Sequence, residues 1–138
     1  MTAHLHHAHL FAADIDATIR WWTDMFGAKV AFDGPTGGAR NVFLRVGDGR
    51  LHLYDQPPRD SGRGAVHHLG IRTDDLRALT AHMEGLGAAF PSGIREFGSW
   101  RYAMVEAPDG VLLELFEVAA EALGGDAGAY FSDQEHGP

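Results

Sequence analysis

The chain has 138 residues, 45% hydrophobic and 22% charged, which is enough for one globular domain with its own core. A net charge of −8 argues against nucleic acid or an anionic membrane as partner, and the absence of cysteine excludes disulfides and thiolate chemistry. No apolar run approaches the roughly 18 residues of a membrane span and no signal peptide is evident, so we expect a cytoplasmic protein.

A histidine-rich segment, LHHAHL, opens the first half of the chain at residues 5–10. Its alternation predicts a strand over 4–12, because successive side chains of a strand point to opposite faces. His7 and His9 would then share one face of this strand. His6 would lie on the other, toward a helix layer or a subunit contact.

A helix and three strands are predicted to follow. Asp14 is a typical N-cap and Gly27 a typical C-terminal residue for a helix whose apolar residues repeat at helical spacing. The three strands are predicted over 29–32, 40–46 and 50–54.

The second half of the chain repeats this plan. His7 recurs as His68 and Asp14 as Asp75, both 61 residues later, after a polar linker at 56–64. The helix is expected to run from Asp75 to the glycines near 85–87. The strands of this half are predicted over 65–72, 88–90, 99–106 and 111–117.

The predicted fold class is α+β, with paired βαβββ modules at about 4–55 and 65–118. One face of each sheet is apolar enough to pack against its own helix, and the other carries His, Arg, aromatic residues and a Glu. We expect the sheets to join into a curved mixed sheet, a cup-like open barrel with the helices outside. This single domain would span 1–124 and leave 125–138 as a flexible tail.

Four side chains are predicted to converge on the concave face: His7 and His68 from the first strand of each half, and His52 and Glu114 from the last. Imidazole and carboxylate donors without thiolate suit Fe(II), Mn(II), Ni(II), Co(II) or Zn(II), and we predict one such ion. Two histidines and a carboxylate leave positions open for a small substrate with adjacent oxygens, as Lewis-acid catalysis or O2 activation requires.

Other side chains on this face are candidates for contact with the substrate. His9 is a candidate acid or base, as are His52 and Glu114 if they exchange on and off the metal. His67, on the opposite face from His68, is assigned a structural role. The predicted substrate contacts are Phe43, Arg45, Arg72, Trp100 and Tyr102.

The sequence resembles the vicinal oxygen chelate superfamily, which includes glyoxalase I, methylmalonyl-CoA epimerase, fosfomycin-resistance enzymes and extradiol dioxygenases. The resemblance covers about residues 5–118. It lies in four segments: HAHLFAADI from His7, WWTDMFG from Trp21, HLGIRTDDL from His68 and PDGVLLELFE from Pro108.

This resemblance implies paired βαβββ modules, metal ligands at His7, His68 and Glu114, and a homodimer. Position 52 corresponds to a ligand that is Glu in bacterial glyoxalase I and Gln in the epimerase. His52 is therefore a departure from the family pattern, and a fourth protein ligand stays open.

Three functions are compatible with these residues. The first, which we predict, is a glyoxalase-like or epimerase-like isomerase or lyase, in which a chelated substrate forms a metal-stabilised enediolate and a nearby base moves the proton. The second is an Fe(II) extradiol-type dioxygenase, although Met104 stands where the family's catalytic tyrosine is expected. The third is a non-catalytic drug-binding resistance protein, a class that usually lacks the metal ligands. Fosfomycin thiol transfer is disfavoured, because Met104 also replaces a substrate-contacting tyrosine.

Overall fold

The computed structural model describes residues 2–36, 38–58 and 66–133. The chain divides into two compact units, Met1–Arg63 with Pro108–Gly110, and Gly64–Ala107 with Val111–Pro138. Each unit contains one four-stranded mixed sheet. The predicted α+β class and the two βαβββ modules are thereby confirmed.

The first module contains four strands and one helix. Its sheet has the order β1-β4-β3-β2, in which β1 runs parallel to β4 and the other neighbours are antiparallel. A helical crossover is what allows the parallel pair to form. The elements are β1 (Ala8–Phe11), α1 (Ile15–Phe26), β2 (Lys29–Thr36), β3 (Ala39–Val46) and β4 (Gly49–Tyr54).

Local signals explain where α1 begins and ends. The Asp14 side chain accepts a hydrogen bond from the amide of Ala17 at 3.0 Å, which satisfies one of the unpaired amides of the first turn. Gly27 ends the helix with φ 68, and its amide donates to the carbonyl of Thr23. Both predicted helix boundaries are confirmed.

Replacing Gly27 with Ala tests this helix end. No neighbouring atom lies within 4 Å of a Cβ added at Gly27, so the new methyl group would not clash. The loss of stability would come only from holding alanine in the left-handed backbone conformation. We expect Gly27→Ala to lower the free energy of unfolding by about 1–2 kcal/mol. The matched control is Gly85→Ala, which also meets open space but lacks a positive φ. It should raise the stability by about 0.5 kcal/mol in the same urea titration. Equal effects of the two variants would contradict the explanation.

The second module repeats the first. Its sheet has the order β5-β8-β7-β6, again with the first strand parallel to the last. The Asp75 side chain caps α2 by accepting from the amide of Ala78 at 3.0 Å. The elements are β5 (Leu69–Arg72), α2 (Leu76–Gly85), β6 (Arg95–Phe97), β7 (Trp100–Ala107), β8 (Val111–Val118), α3 (Ala120–Leu123) and α4 (Gly125–Asp133).

Buried leucines orient the last strand of each module. Leu51 and Leu53 on β4 are 7% and 0% exposed, and Leu113 and Leu115 on β8 are both fully buried. Because side chains alternate along a strand, the residue between each pair of leucines must emerge on the opposite face. Those residues are His52 and Glu114, as the sequence predicted.

Two strands differ from the sequence-based prediction. β1 begins at Ala8 rather than at residue 4. The predicted strand at 88–90 is wrong, because the amide of Ala88 donates to the carbonyl of Met83 and ties this segment to the end of α2. The second strand of the module is instead β6, further along the chain.

The C-terminal segment also differs from the predicted flexible tail. Residues Gly125–Asp133 form α4, and 134–138 lie outside the described residues. The Phe131 ring lies 5.2 Å from the ring of Trp100 and 6.0 Å from that of Phe116. The polar composition of the segment indicated a tail, in which the sequence offered Tyr130 and Phe131 as anchors; Phe131 is an anchor in the structure. None of the helices in the described ranges is both long enough and apolar enough to cross a membrane.

Candidate metal site

His7 and His52 come together in the first module. Their rings stack with centroids 3.5 Å apart and planes 11° apart. His52 lies on β4, and His7 immediately precedes β1, which pairs with β4 in parallel. The strand pairing therefore brings two of the predicted ligands into direct contact.

Phe43 covers the other face of the His52 ring. The two centroids are 3.8 Å apart, and Phe43 contacts Phe32 in turn at 4.9 Å. His7, His52 and Phe43 thus form a ring stack across the sheet, and Phe32 extends this row through a tilted contact. Phe43 was predicted to contact substrate; in the structure it supports His52, which limits the rotation of that imidazole.

His6 is also part of this cluster, which corrects the prediction that it lies on the opposite face. One donor nitrogen from each of His6, His7 and His52 lies within 4.8 Å of the other two. The Nδ1 atoms of His6 and His7 are 3.0 Å apart. The prediction failed because the segment before Ala8 is not a strand, so the alternation of side chains does not apply there.

The environment lowers the pKa of two of these histidines. Burial has the largest effect on the pKa of His52, and the nearby His7, His9 and His6 lower it further. Desolvation also lowers the pKa of His6, followed by the positive charges of Arg50, His7, His4 and Arg45. Both shifts favour neutral imidazole, which is the form that binds a metal ion.

The donor set of the first module fits a divalent transition metal. Three imidazoles without thiolate suit Zn, Ni, Co, Mn or Fe. Nitrogen ligands about 2.1 Å from one ion lie roughly 3.4 Å from each other. The stacked rings of His7 and His52 would therefore have to tilt apart to share an ion, because the lone pair of an imidazole lies in the plane of its ring.

His68 and Glu114 come together in the second module. His68 Nε2 lies 3.8 Å from Glu114 Oε2, on side chains that are 33% and 20% exposed. The parallel pairing of β5 with β8 sets Gly70 opposite Glu114, and His68 precedes Gly70 by two residues. His67 contacts His68 through their Nδ1 atoms at 2.8 Å, as His6 contacts His7.

His9 is exposed and lies opposite His52 across the parallel pair β1–β4. Its ring is 6.2 Å from that of His52 and 5.7 Å from that of Tyr54. It therefore lies at the edge of the histidine cluster, beside solvent. Arg45 is exposed on β3, on the same face as Phe43.

The predicted substrate contacts of the second module lie beside α4. Arg72 donates from Nη1 to the carbonyl oxygen of Phe131 at 2.6 Å, and Trp100 stacks on Phe116 at 4.6 Å. Tyr102 is partly buried and lies opposite Phe116. α4 thus covers part of the face on which these residues were predicted to meet a ligand.

Residues 4–115 match the model of the Glyoxalase/Bleomycin resistance protein/Dioxygenase superfamily, and the chain belongs to this superfamily. The chain is 27% identical over 131 residues to YwbC of Bacillus subtilis. This alignment covers 85% of this chain and 99% of YwbC.

Two solved structures share the fold. TnmS3, an antibiotic-binding protein from Streptomyces sp. CB03234, has a TM-score of 0.73 at 24% identity, covering 86% of this chain and 98% of TnmS3. A variant of the fosfomycin resistance protein FosX from Listeria monocytogenes, solved with Mn(II) and 1S,2S-dihydroxypropylphosphonic acid, has a TM-score of 0.74 at 17% identity. That match covers 89% of this chain and 98% of FosX. The fold therefore serves both metal-binding and antibiotic-binding proteins.

Proposed function

We propose that this protein is a metal-dependent isomerase or lyase of the glyoxalase or epimerase type, acting on a small substrate with two adjacent oxygens. The observation that carries the proposal is that each predicted ligand pair meets within its own module, His7 with His52 and His68 with Glu114. We propose that these four residues hold one divalent ion, which is Fe, Ni, Mn, Co or Zn. Membership of the superfamily supports His7, His68 and Glu114 as ligands, whereas His52 departs from the family pattern and is proposed from its contact with His7.

The roles of the residues follow from their surroundings. A bound divalent ion would act as a Lewis acid toward the adjacent oxygens of the substrate and acidify the neighbouring C–H. Glu114 and His52 are the candidate bases if either exchanges off the metal, because a ligand that leaves the ion frees its lone pair to accept the proton. His9 is exposed next to His52, so it suits the transfer of the proton to and from solvent.

A drug-binding role and an Fe(II)-dependent dioxygenase activity are the two alternatives to this function. The antibiotic-binding protein TnmS3, with its TM-score of 0.73, favours a drug-binding role, for which stacked rings such as Trp100 and Phe116 are suited. An Fe(II) dioxygenase is the other enzymatic candidate, since the superfamily includes dioxygenases. Met104, opposite Glu114 on β7, cannot supply the acid that a tyrosine would supply there. The homodimer and the cytoplasmic location stay predictions.

Metal analysis followed by isotope exchange separates the three functions. We expect about one divalent ion per purified chain. The His68→Ala variant should lose this ion, because the substitution removes one of the four proposed metal ligands. The loaded protein should then exchange solvent deuterium into a 2-hydroxyketone or a thioester without consuming oxygen. Oxygen uptake with catechols after anaerobic Fe(II) loading would favour the dioxygenase instead. Drug binding by a protein that never holds metal would favour the resistance role.

A further inference from the structure

Three cationic side chains form a row across the first sheet. The register sets Lys29 on β2 opposite Arg45 on β3, and Arg45 opposite Arg50 on β4. Cross-strand partners emerge on the same face, with their Cβ atoms about 5 Å apart. We call Lys29, Arg45 and Arg50 the cationic row.

No carboxylate of the described residues forms an ion pair with the cationic row. Within the described ranges, the ion pairs shorter than 4.0 Å use only Arg40, Arg101 and His68 as the cationic partner. Arg40 shows the contrast, because it lies on the same strand as Arg45 and contacts Asp16 and Asp33 at 2.9 Å each.

This arrangement is unfavourable unless an anion compensates it. Like charges directly opposite one another destabilise a sheet. The chain has 19 acidic and only 11 basic residues, so carboxylates are plentiful, yet none of those described pairs with the row. Lys29 and Arg45 are exposed and Arg50 is partly exposed, so an anion from solution can reach all three.

The cationic row lies directly beside the proposed metal ligands. Arg50 and His52 are two residues apart on β4, as are Arg45 and Phe43 on β3, so all four share one face. Two residues of a strand span about 7 Å.

We propose that Lys29, Arg45 and Arg50 bind a phosphate, phosphonate or carboxylate group carried by the substrate. The guanidinium groups match two oxygens of such a group at once, and the ammonium adds a point charge. The substrate would then be a small acid whose anionic group lies a few bonds from its adjacent oxygens. This last step rests on the proposed function; the anion site itself does not.

The test titrates inorganic phosphate and, separately, acetate into the purified full chain by calorimetry at constant ionic strength. We expect Arg45→Gln and Arg50→Gln each to weaken binding by about tenfold or more. The matched control is Arg20→Gln, which removes the same charge from an exposed position on α1 of the same module. Its affinity should equal that of the wild type.

Tighter binding of phosphate would assign a phosphoryl or phosphonyl group, and tighter binding of acetate a carboxylate. No binding of either anion, or equal affinity in wild type and Arg45→Gln, would overturn the inference.

A second variant separates this inference from the metal proposal. His68→Ala is expected to lose metal and to keep its affinity for phosphate. Loss of phosphate binding in His68→Ala together with full binding in Arg45→Gln would show that the anion binds the metal ion, and would overturn the cationic row as its site. Phosphate binding to a chain that never holds metal would leave the anion site standing while the proposed function fails.

Discussion

The Glu114→Ala variant is expected to bind a divalent ion at least about 100-fold more weakly than the wild type and to lose deuterium exchange with it. Glu114 is the one carboxylate among the four proposed ligands, and its oxygen lies 3.8 Å from His68 Nε2. Its removal therefore takes away a negative charge as well as a donor atom. Metal affinity is measured by competition with a chromophoric chelator.

The matched control for this variant is Glu106→Ala. Glu106 lies on the neighbouring strand β7, is exposed and is opposite Leu112, whereas Glu114 lies 3.8 Å from His68. The Glu106→Ala variant should bind metal as tightly as the wild type. Glu106→Ala and Glu114→Ala should unfold at nearly the same denaturant concentration. Equal metal affinities of Glu114→Ala and the wild type would remove Glu114 from the ligand set.

The Trp22→Ala variant is expected to lose about 3–5 kcal/mol of the free energy of unfolding. Trp22 is 1% exposed, and its ring lies 5.4 Å from that of Phe26. Truncation removes the largest fully buried side chain of α1 and leaves a cavity that the helix cannot close. For a chain of this size the melting temperature should fall by roughly 10–15 °C, as measured by circular dichroism.

Trp21→Ala is the matched control, because it removes the same side chain one residue earlier. Trp21 is only partly buried, although it also contacts Phe26 at 5.7 Å. Its loss of stability should be less than half that of Trp22→Ala. A similar loss for both variants would mean that burial does not set the stability of this helix.

Much of the fold follows from local patterns in the sequence. Asp14, Gly27 and Asp75 mark helix boundaries through interactions that reach only three or four residues, so each could be identified without knowledge of the rest. The internal repeat then related His52 to Glu114. The pairing of β1 with β4 brings His52 beside His7, and the pairing of β5 with β8 brings Glu114 beside His68.

The missed features depend on contacts that a local pattern does not contain. Lys29 and Arg50 join Arg45 only through the register of three strands, and β2 contains an irregularity between Val30 and Phe32 that shifts this register. α4 depends on Phe131 reaching Trp100, across 31 residues of chain. Neither the strand register nor the contact between Phe131 and Trp100 can be inferred from composition or periodicity.

The ring contacts of Trp100 give the second module its own fluorescent reporter. The chain has three tryptophans, of which Trp21 and Trp22 belong to α1 and Trp100 to β7. The Trp100 indole lies between Phe116 at 4.6 Å and Phe131 at 5.2 Å. Its emission therefore follows the docking of α4, whereas the emission of the other two follows the packing of α1, and one spectrum records both modules.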